Sequence, residues 1–551
     1  MKFSVDMKPA IKKKQAPQKP ASNNKLLIWI ILGVALLFTL VFRLRMLNLP
    51  LERDEGEYAY IASLILDGDS PFSAYNYKIP GVSFIYSFFM IFFGQGIAGV
   101  KAGLMVICLL NVWLFYKAFS RFIPSLAAAI GALFFSVMMS DFSVLGNAAH
   151  ATHYVNLFSL LALYFAGKWI TKPAPLLFLA GGAMAGLTFC MKQPAGLLIP
   201  FFGLLVFVPY LKGFLKQWKK VLLSSLLFVA GVALPLGLLA LVVTLYNDWE
   251  RFINWTFIYP SQYASLLSFE QGVGVFKMMF PMIVGAFTAW WIAALAGFIF
   301  FAREKSISST TRWILGGFAL FTFLTVVPGY YFRNHYFIVF LPVVAAFAGY
   351  SIFWVREKLS KMMGNLGGIL GLAVLFLVFL FPVQSRSKLY FSMRPEKISR
   401  EIYRGNPFAD SKQVADFIKR QAKDNDQLAV FGSEAQMYYY SGLKAATGYM
   451  FTYEMVKKQP FAEKMQLEMI HEIEASKPRF YIFSNVNTSW LVEPGSPDTI
   501  FKWMDASIVE NYLPIGVVDI LDTRSVFIQD STVLTYKPQS KNVMWIFKRK
   551  N

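Results

Sequence analysis

The sequence predicts a polytopic α-helical membrane protein with a C-terminal α/β domain outside the membrane. Of 551 residues, 56% are hydrophobic and only 15% charged, which is not the balance of a soluble chain. Apolar runs of roughly 17 to 25 residues, each able to cross about 30 Å of hydrocarbon, recur from Leu26 to Pro382. Beyond Gln384 polar residues become frequent and strand-like and helical stretches alternate.

Residues 1–25 form a basic tail, with Lys12, Lys13 and Lys14 marking it as cytoplasmic. The first run, LLIWIILGVALLFTLVF, is followed by Arg43 and Arg45 and not by a small-x-small cleavage site, so it reads as a retained signal anchor. Arg43, Arg45 and Lys101 are expected to snorkel into the headgroup layer. Twelve candidate spans run from 26–45 and 81–98 to 365–383. Basic loops at 168–172, 212–220, 303–312 and 356–361 read as cytoplasmic. Counting from the two ends leaves a disagreement of one crossing between Pro80 and Arg121. A tail inside and a final domain outside demand an odd number, so 11 or 13 transmembrane helices are expected. The division is therefore 1–25 tail, 26–384 membrane domain with an outer loop at 46–80, and 385–551 extracytoplasmic α/β domain.

The net charge of +21 does not point to nucleic acid. Residues 385–551 hold 19 of 32 acidic and 23 of 53 basic groups, a near balance. The excess lies in the membrane part, where it orients the chain. Cys108 and Cys190 both fall in apolar segments, so they read as small core residues and not as a disulfide framework.

This orientation collects particular groups at the outer face: the carboxylate loop with Lys78, then Asn147, His150 and His153, then Lys192, then Arg333 and His335. Six carboxylates, Glu52, Asp54, Glu55, Glu57, Asp67 and Asp69, lie within the stretch LERDEGEYAYIASLILDGDS. Its apolar positions suit a helix lying along the interface, and Asp67 to Pro71 read as a turn. A solvated cap explains Asp67 and Asp69. For Asp54, Glu55 and Glu57 a headgroup loop competes with chemistry. A partly desolvated carboxylate, its pKa raised, takes a proton from an acceptor hydroxyl or amine. Cations such as Lys78, Lys192 and Arg333 hold a departing phosphate.

The run RDEGEYAYIASLILDGDSPFSAYNYKIPGVSFIYSF resembles the first outer loop of the lipid-linked sugar transferases with the GT-C fold, the protein mannosyltransferase-like and aminoarabinose transferase-like groups. Asp54 and Glu55 match the acidic pair, and Lys78, Pro80 and Gly81 the Lys-x-Pro element, with Ile79 where many members carry a first proline. GLTFCMKQPAGLLIP is similar to the Lys-Gln-Pro segment, giving Lys192, Gln193 and Pro194, and YYFRNHYFIVFLPVVAAFAG to the Arg-x-His-Tyr element, giving Arg333, His335 and Tyr336. One departure matters: GNAAHATHY keeps Asn147 but lacks the carboxylate many relatives carry, leaving His150 or His153 as donor or base.

The resemblance implies a GT-C type protein and an inverting transfer of a sugar from a polyprenyl-phosphate donor to a glycan, glycolipid or protein acceptor at the outer face. Asp54 and Glu55 would be catalytic, with Asp54 first as base. Lys78, Arg333 and His335 would hold the lipid phosphate, and Glu57, Asn147, His150, His153 and Lys192 are candidate substrate-binding residues. The apolar helices would take the polyprenyl tail alongside membrane lipids. No cofactor is expected and no His/Cys/Asp cluster with metal spacing is evident, although the carboxylate loop has oxygen ligands for a divalent cation.

In the last domain, helices are predicted near 410–423 and 460–475 and strands at QLAVFGS, PRFYIFS and VMWIFKR. Glu434 after Gly432 and Ser433 reads as a strand-to-helix turn. A lipid-linked saccharide flippase or transporter would share the many helices but should show internal repeats with paired broken helices. A polysaccharide polymerase is the nearest enzymatic rival.

Overall fold

The computed structural model describes residues 22–75, 77–521, 524–529 and 531–550; the Lys12 to Lys14 cluster lies outside the described residues. From the start, the helices are α1 (Ser22–Arg45), α2 (Arg53–Asp67), α3 (Gly81–Phe93), α4 (Ile97–Phe119), α5 (Ser125–Met138), α6 (Ala151–Thr171), α7 (Pro175–Met191), α8 (Leu198–Leu205) and α9 (Trp218–Leu245). Phe269–Val284, Thr288–Arg303, Ser309–Leu324 and Leu341–Ser385 complete the helical layer. Among the described residues, five helical stretches are long and apolar enough to cross a membrane, and a sixth if the bent pair Phe269–Val284 and Thr288–Arg303 forms one span. α3, α5 and α7 are shorter apolar helices.

α3 lies within the stretch where the two charge counts disagree. Its 13 residues rise only about 20 Å, nearly the same as the 14-residue α5, so what sets α3 apart is how its ends are held. Just before it, Lys78 pairs with Asp54 and Glu57 of α2, and just after it Lys101 pairs with Glu55 of the same helix. Both ends of α3 are thus tied to one helix, beside which α3 packs. Phe88, Ile91, Phe92 and Phe93 of α3 are exposed.

Leu341–Ser385 would be about 68 Å long if straight, twice what a bilayer needs. It folds back at Gly364, whose φ of 59° and ψ of −137° lie outside the helical region and are tolerated by glycine. A Cβ on Gly367 would come 1.9 Å from the carbonyl oxygen of Leu359. The missing side chain there lets the two halves touch as a hairpin, the close backbone approach of small residues in membrane helices.

The C-terminal region carries a six-stranded mixed sheet: β1 (Gln427–Phe431), β2 (Lys444–Ala445), β3 (Phe480–Asn485), β4 (Tyr512–Ile520), β5 (Ser525–Ile528) and β6 (Val543–Arg549), in the order β2-β1-β3-β6-β4-β5. β1 pairs in parallel with β2 and β3, and the other pairings are antiparallel. Helices Phe408–Lys419, Ala462–Ser476 and Thr499–Asn511 accompany it. The predicted strands are β1, β3 and β6. β4 escapes the sequence pattern because Pro514 interrupts it, and the pairing shifts register between Pro514 and Gly516, where an irregularity accommodates the proline.

α2 is not the interface-lying helix the sequence suggests. Tyr58, Ala59 and Ala62 belong to the core of the helical layer, whereas Tyr60, Ile61 and Leu64 belong to the core of the sheet region. The helix is clamped between the two. Gly56 marks the contact: a Cβ there would lie 2.4 Å from the backbone nitrogen of Gln436. Leu51 N–H donates to Tyr440 Oη and Ala445 N–H to Tyr60 Oη.

The snorkelling expected of three cations is also corrected. Arg43 is 1% exposed and Lys101 2%. Arg43 points inward and donates to the Met139 carbonyl at the end of α5 (3.3 Å), and Arg45 donates to the carbonyls of Tyr390 and Met393. Lys101 pairs with Glu55 at 2.5 Å. Helix packing turns all three toward protein partners. Cys108 and Cys190 are buried free thiols.

Candidate active site

The acidic motif begins a helix whose cap its own residues supply. Glu52 accepts from the backbone N–H of Glu55, and the Glu55 side chain accepts from that of Glu52, a reciprocal capping box. Asp54, in the first turn, is left facing a cavity of about 410 Å³.

Glycine at position 81 helps to bring Lys78 and Lys192 to one cavity. A Cβ on Gly81 would come 2.2 Å from the Cys190 carbonyl oxygen, so the chain just after Lys78 lies against the end of α7, just before Lys192. Gln193 reinforces this by donating to the carbonyls of Tyr77 and Thr256 (2.8 and 3.3 Å). A third segment arrives through Asn334, which donates to the Ser143 carbonyl (2.6 Å), and Asn156, which donates to that of Ile338 (2.7 Å). Its approach is strained: Gly329, Tyr330 and Phe332 have φ of 78°, 57° and 42°. Left-handed backbone at two aromatic residues costs on the order of 1–3 kcal/mol each and clusters at functional sites.

Asp54, Lys78, His150, Lys192, Arg333 and His335 therefore line one cavity, with Tyr336 and, from the sheet region, Tyr453. Lys78 Nζ lies 2.9 Å from Asp54 Oδ1 and 2.5 Å from Glu57 Oε2, and sits over the Tyr58 ring. His150 Nδ1 is 3.6 Å from Asp54 Oδ2. The His150 and His335 rings stack at 4.1 Å and 13°. Lys192 Nζ is 3.4 Å from the Tyr336 ring centroid, a cation–π contact. Asp54 is the one carboxylate among the described lining residues.

Burial opposes charge throughout. It raises the Asp54 carboxyl, but Lys78 with His150 and His335 outweighs it and holds that group well below the usual carboxylate range. This corrects the expectation of a raised pKa. Burial, with Asp54 repelling a second charge, pushes Glu57 up to about 7 despite Lys78. Burial also brings Lys192 down to about 7, with Lys78 and Arg333 adding to the shift and Asp54 opposing it. His150 falls to about 3 through burial and the neighbouring lysines, against Asp54.

Several expected residues lie elsewhere. Glu55 faces away from the cavity, bound to Lys101 and to the Ala149 N–H (2.7 Å), so its carboxylate is spent on structure. Glu57 is buried behind Lys78. Asn147 donates to Tyr403 Oη (3.1 Å), and His153 is buried with Nδ1 3.8 Å from Cys108 Sγ. The backbone turns these two inward where α6 begins. Tyr58, Tyr77 and Tyr453 also line the cavity, and in so aromatic a chain the sequence gives them no distinguishing signal.

Asp54, His150 and His335 bring ligand atoms within 4.8 Å of one another, a cluster made in space and not by sequence spacing. Separations of 96 and 185 residues hide it from any spacing test. The donors suit a divalent transition metal; the bond from Lys78 and the nearby Lys192 and Arg333 oppose one.

Residues 73–248 match the family model of dolichyl-phosphate-mannose-protein mannosyltransferase. Comparison with curated protein sequences finds no match. Among solved structures, ArnT from Cupriavidus metallidurans bound to undecaprenyl phosphate is 14% identical with a TM-score of 0.58, covering 94% of this chain and 100% of that one. The apo state of the same protein gives 15%, 0.55, 94% and 100%. The archaeal oligosaccharyltransferase AglB from Archaeoglobus fulgidus, in complex with an inhibitory peptide and a dolichol-phosphate, gives 12% and 0.55, covering 93% of this chain and 75% of that one. At such identities the likeness is one of fold. The shared architecture gives this chain the GT-C fold of these proteins, and the matched segment resembles the mannosyltransferase family model over about a third of its length.

Proposed function

We propose that this protein is an inverting glycosyltransferase that moves a sugar from a polyprenyl-phosphate donor to an acceptor at the outer face of the membrane. The observation that carries the reading is the polarity of the cavity: one ionised carboxylate, Asp54, facing Lys78, Lys192 and Arg333. Three cations around one carboxylate suit a phosphate monoester leaving group.

In this reading the acceptor oxygen bonds to the anomeric carbon as the bond from that carbon to the phosphate oxygen breaks. The phosphate keeps the electron pair and is held by Lys78, Lys192 and Arg333. The acceptor proton passes to Asp54 Oδ2, the oxygen that Lys78 does not hold. A carboxylate of such low basicity is a poor general base. When the incoming phosphate claims Lys78, however, Asp54 loses the cation that lowers its pKa, and its affinity for the acceptor proton rises. Donor binding thereby prepares the base. Glu57 stays behind Lys78 as a positioning residue, and the stacked His150 and His335 flank the reacting carbon.

With α3 taken as not crossing, eleven crossings join a cytoplasmic N-terminus to an extracytoplasmic C-terminal domain, with the boundary near 385. The test is incubation of the purified protein with labelled polyprenyl-phosphate sugars. Release of free polyprenyl phosphate with an inverted product supports the reading. Movement of intact lipid between leaflets, without release, would make the protein a flippase.

A further inference from the structure

A second cavity, of about 340 Å³, opens between the outer loop, the segment around 250–259 and the sheet region. Its inner wall is aromatic. The rings of Tyr75 and Trp255 stack at 5.2 Å and 8°, and Tyr449 stands edge-on to both at 5.0 and 5.5 Å. Hydrogen bonds lock the tyrosines in place: Tyr75 Oη donates to Glu472, and Tyr449 Oη donates to Glu468 Oε2 at 2.8 Å. The rim carries Glu250, Arg251, Asn254, Lys464 and Glu468, so donors and acceptors of both charge signs surround the aromatic floor.

The two cavities share a wall. Thr256, Phe257, Pro260 and Ser261 face the first, and Asn254, Trp255 and Ile258 the second. Asn254–Ile258 is a π-helical turn, a rare conformation that occurs often at functional sites. Tyr77 and Tyr75, two residues apart, divide in the same way.

We infer that this second cavity is a subsite for the saccharide part of the acceptor, an uncharged sugar lying on the partly exposed Trp255, which Tyr75 and Tyr449 hold in place, while its hydroxyls bond to the mixed-charge rim. The inference rests on the transferase reading of the first cavity, whose acceptor it specifies. A pyranose presents axial C–H groups on its faces and hydroxyls around its edge, and the cavity offers π surface inside and alternating donors and acceptors outside. The volume falls in the roughly 300–1,000 Å³ range of small-ligand sites. A peptide would need backbone partners; the described lining residues belong to helices and loops, with no strand residue among them.

The test uses the full-length protein in detergent, with maltotriose and chitotriose as probes in saturation-transfer NMR. At least one trisaccharide should receive saturation from the wild type, and the transfer should fall at least fivefold in Trp255→Ala and in the surface variant Lys464→Ala. Excess undecaprenyl phosphate should not displace the sugar. The inference is overturned by no transfer in the wild type, by undiminished transfer in Lys464→Ala with Trp255→Ala folded, or by competition from undecaprenyl phosphate. Binding of peptide probes in place of sugars, lost in Trp255→Ala, also overturns it. Trp255-dependent sugar binding in a protein that releases no polyprenyl phosphate would instead sink the transferase reading alone.

Discussion

Lys78 Nζ stands 2.9 Å from Asp54 Oδ1 and is shared with Glu57, so the cation best placed for a phosphate is the one that keeps the base ionised. Replacing it by alanine should weaken binding of polyprenyl phosphate about 10- to 100-fold, the worth of a charge-assisted hydrogen bond of roughly 1.5–3 kcal/mol. Equilibrium binding of radiolabelled lipid measures this. Unchanged affinity would remove Lys78 from the phosphate site.

Lys192 gives the lipid site a pH dependence. Its pKa is brought down to about 7, so the ammonium is present below neutrality and lost as pH rises through 7. Phosphate binding should therefore weaken between about pH 6 and pH 8. In Lys192→Arg, whose guanidinium stays charged, the dependence should flatten. A persistent decline in that variant would assign the titration to another group.

Glu55 and Lys101 form a buried pair, each side chain about 1% exposed. Removing one partner strands the other charge and typically costs on the order of 3–5 kcal/mol. Glu55→Gln or Lys101→Met should each lower the unfolding temperature, and the double variant should recover much of it. A soluble, folded Glu55→Gln protein should keep its kcat. Loss of kcat without loss of stability would restore Glu55 to the chemistry.

Gly56 tests the clamp on α2. A methyl group at this position meets the Gln436 backbone at 2.4 Å, so Gly56→Ala must push the sheet region away and should destabilise by about 1–3 kcal/mol. Faster proteolysis between the helical layer and the sheet would accompany it, with kcat reduced because Asp54 lies two residues away. A variant as protease-resistant as the wild type would show that the helix does not depend on that contact.

Much of this was legible in the sequence, for identifiable reasons. Composition and apolar runs give the helical layer because hydrocarbon imposes them, and β1, β3 and β6 read clearly because each is a short apolar run that no proline interrupts. Asp54, Lys78, Lys192, Arg333 and His335 stand out because each sits in a short local pattern, an acidic pair, Lys-x-Pro, Lys-Gln-Pro or Arg-x-His-Tyr. What the sequence hides is orientation and partnership. Asp54 and Glu55 are adjacent in the chain, yet about 100° apart around a helix, so one faces the cavity and the other a buried lysine. The stack of His150 on His335 joins segments 185 residues apart. Tyr453 reaches the cavity only because the sheet region closes over α2.

The most direct measurement is the release of polyprenyl phosphate from a labelled polyprenyl-phosphate sugar by purified wild-type protein and by Asp54→Asn, with lipid binding measured in parallel. The account predicts release by the wild type, a fall of about 10²- to 10⁴-fold in the variant, the usual contribution of a general base, and lipid affinity within a few-fold. Equal release from the two proteins, with acceptor and donor saturating, would contradict it.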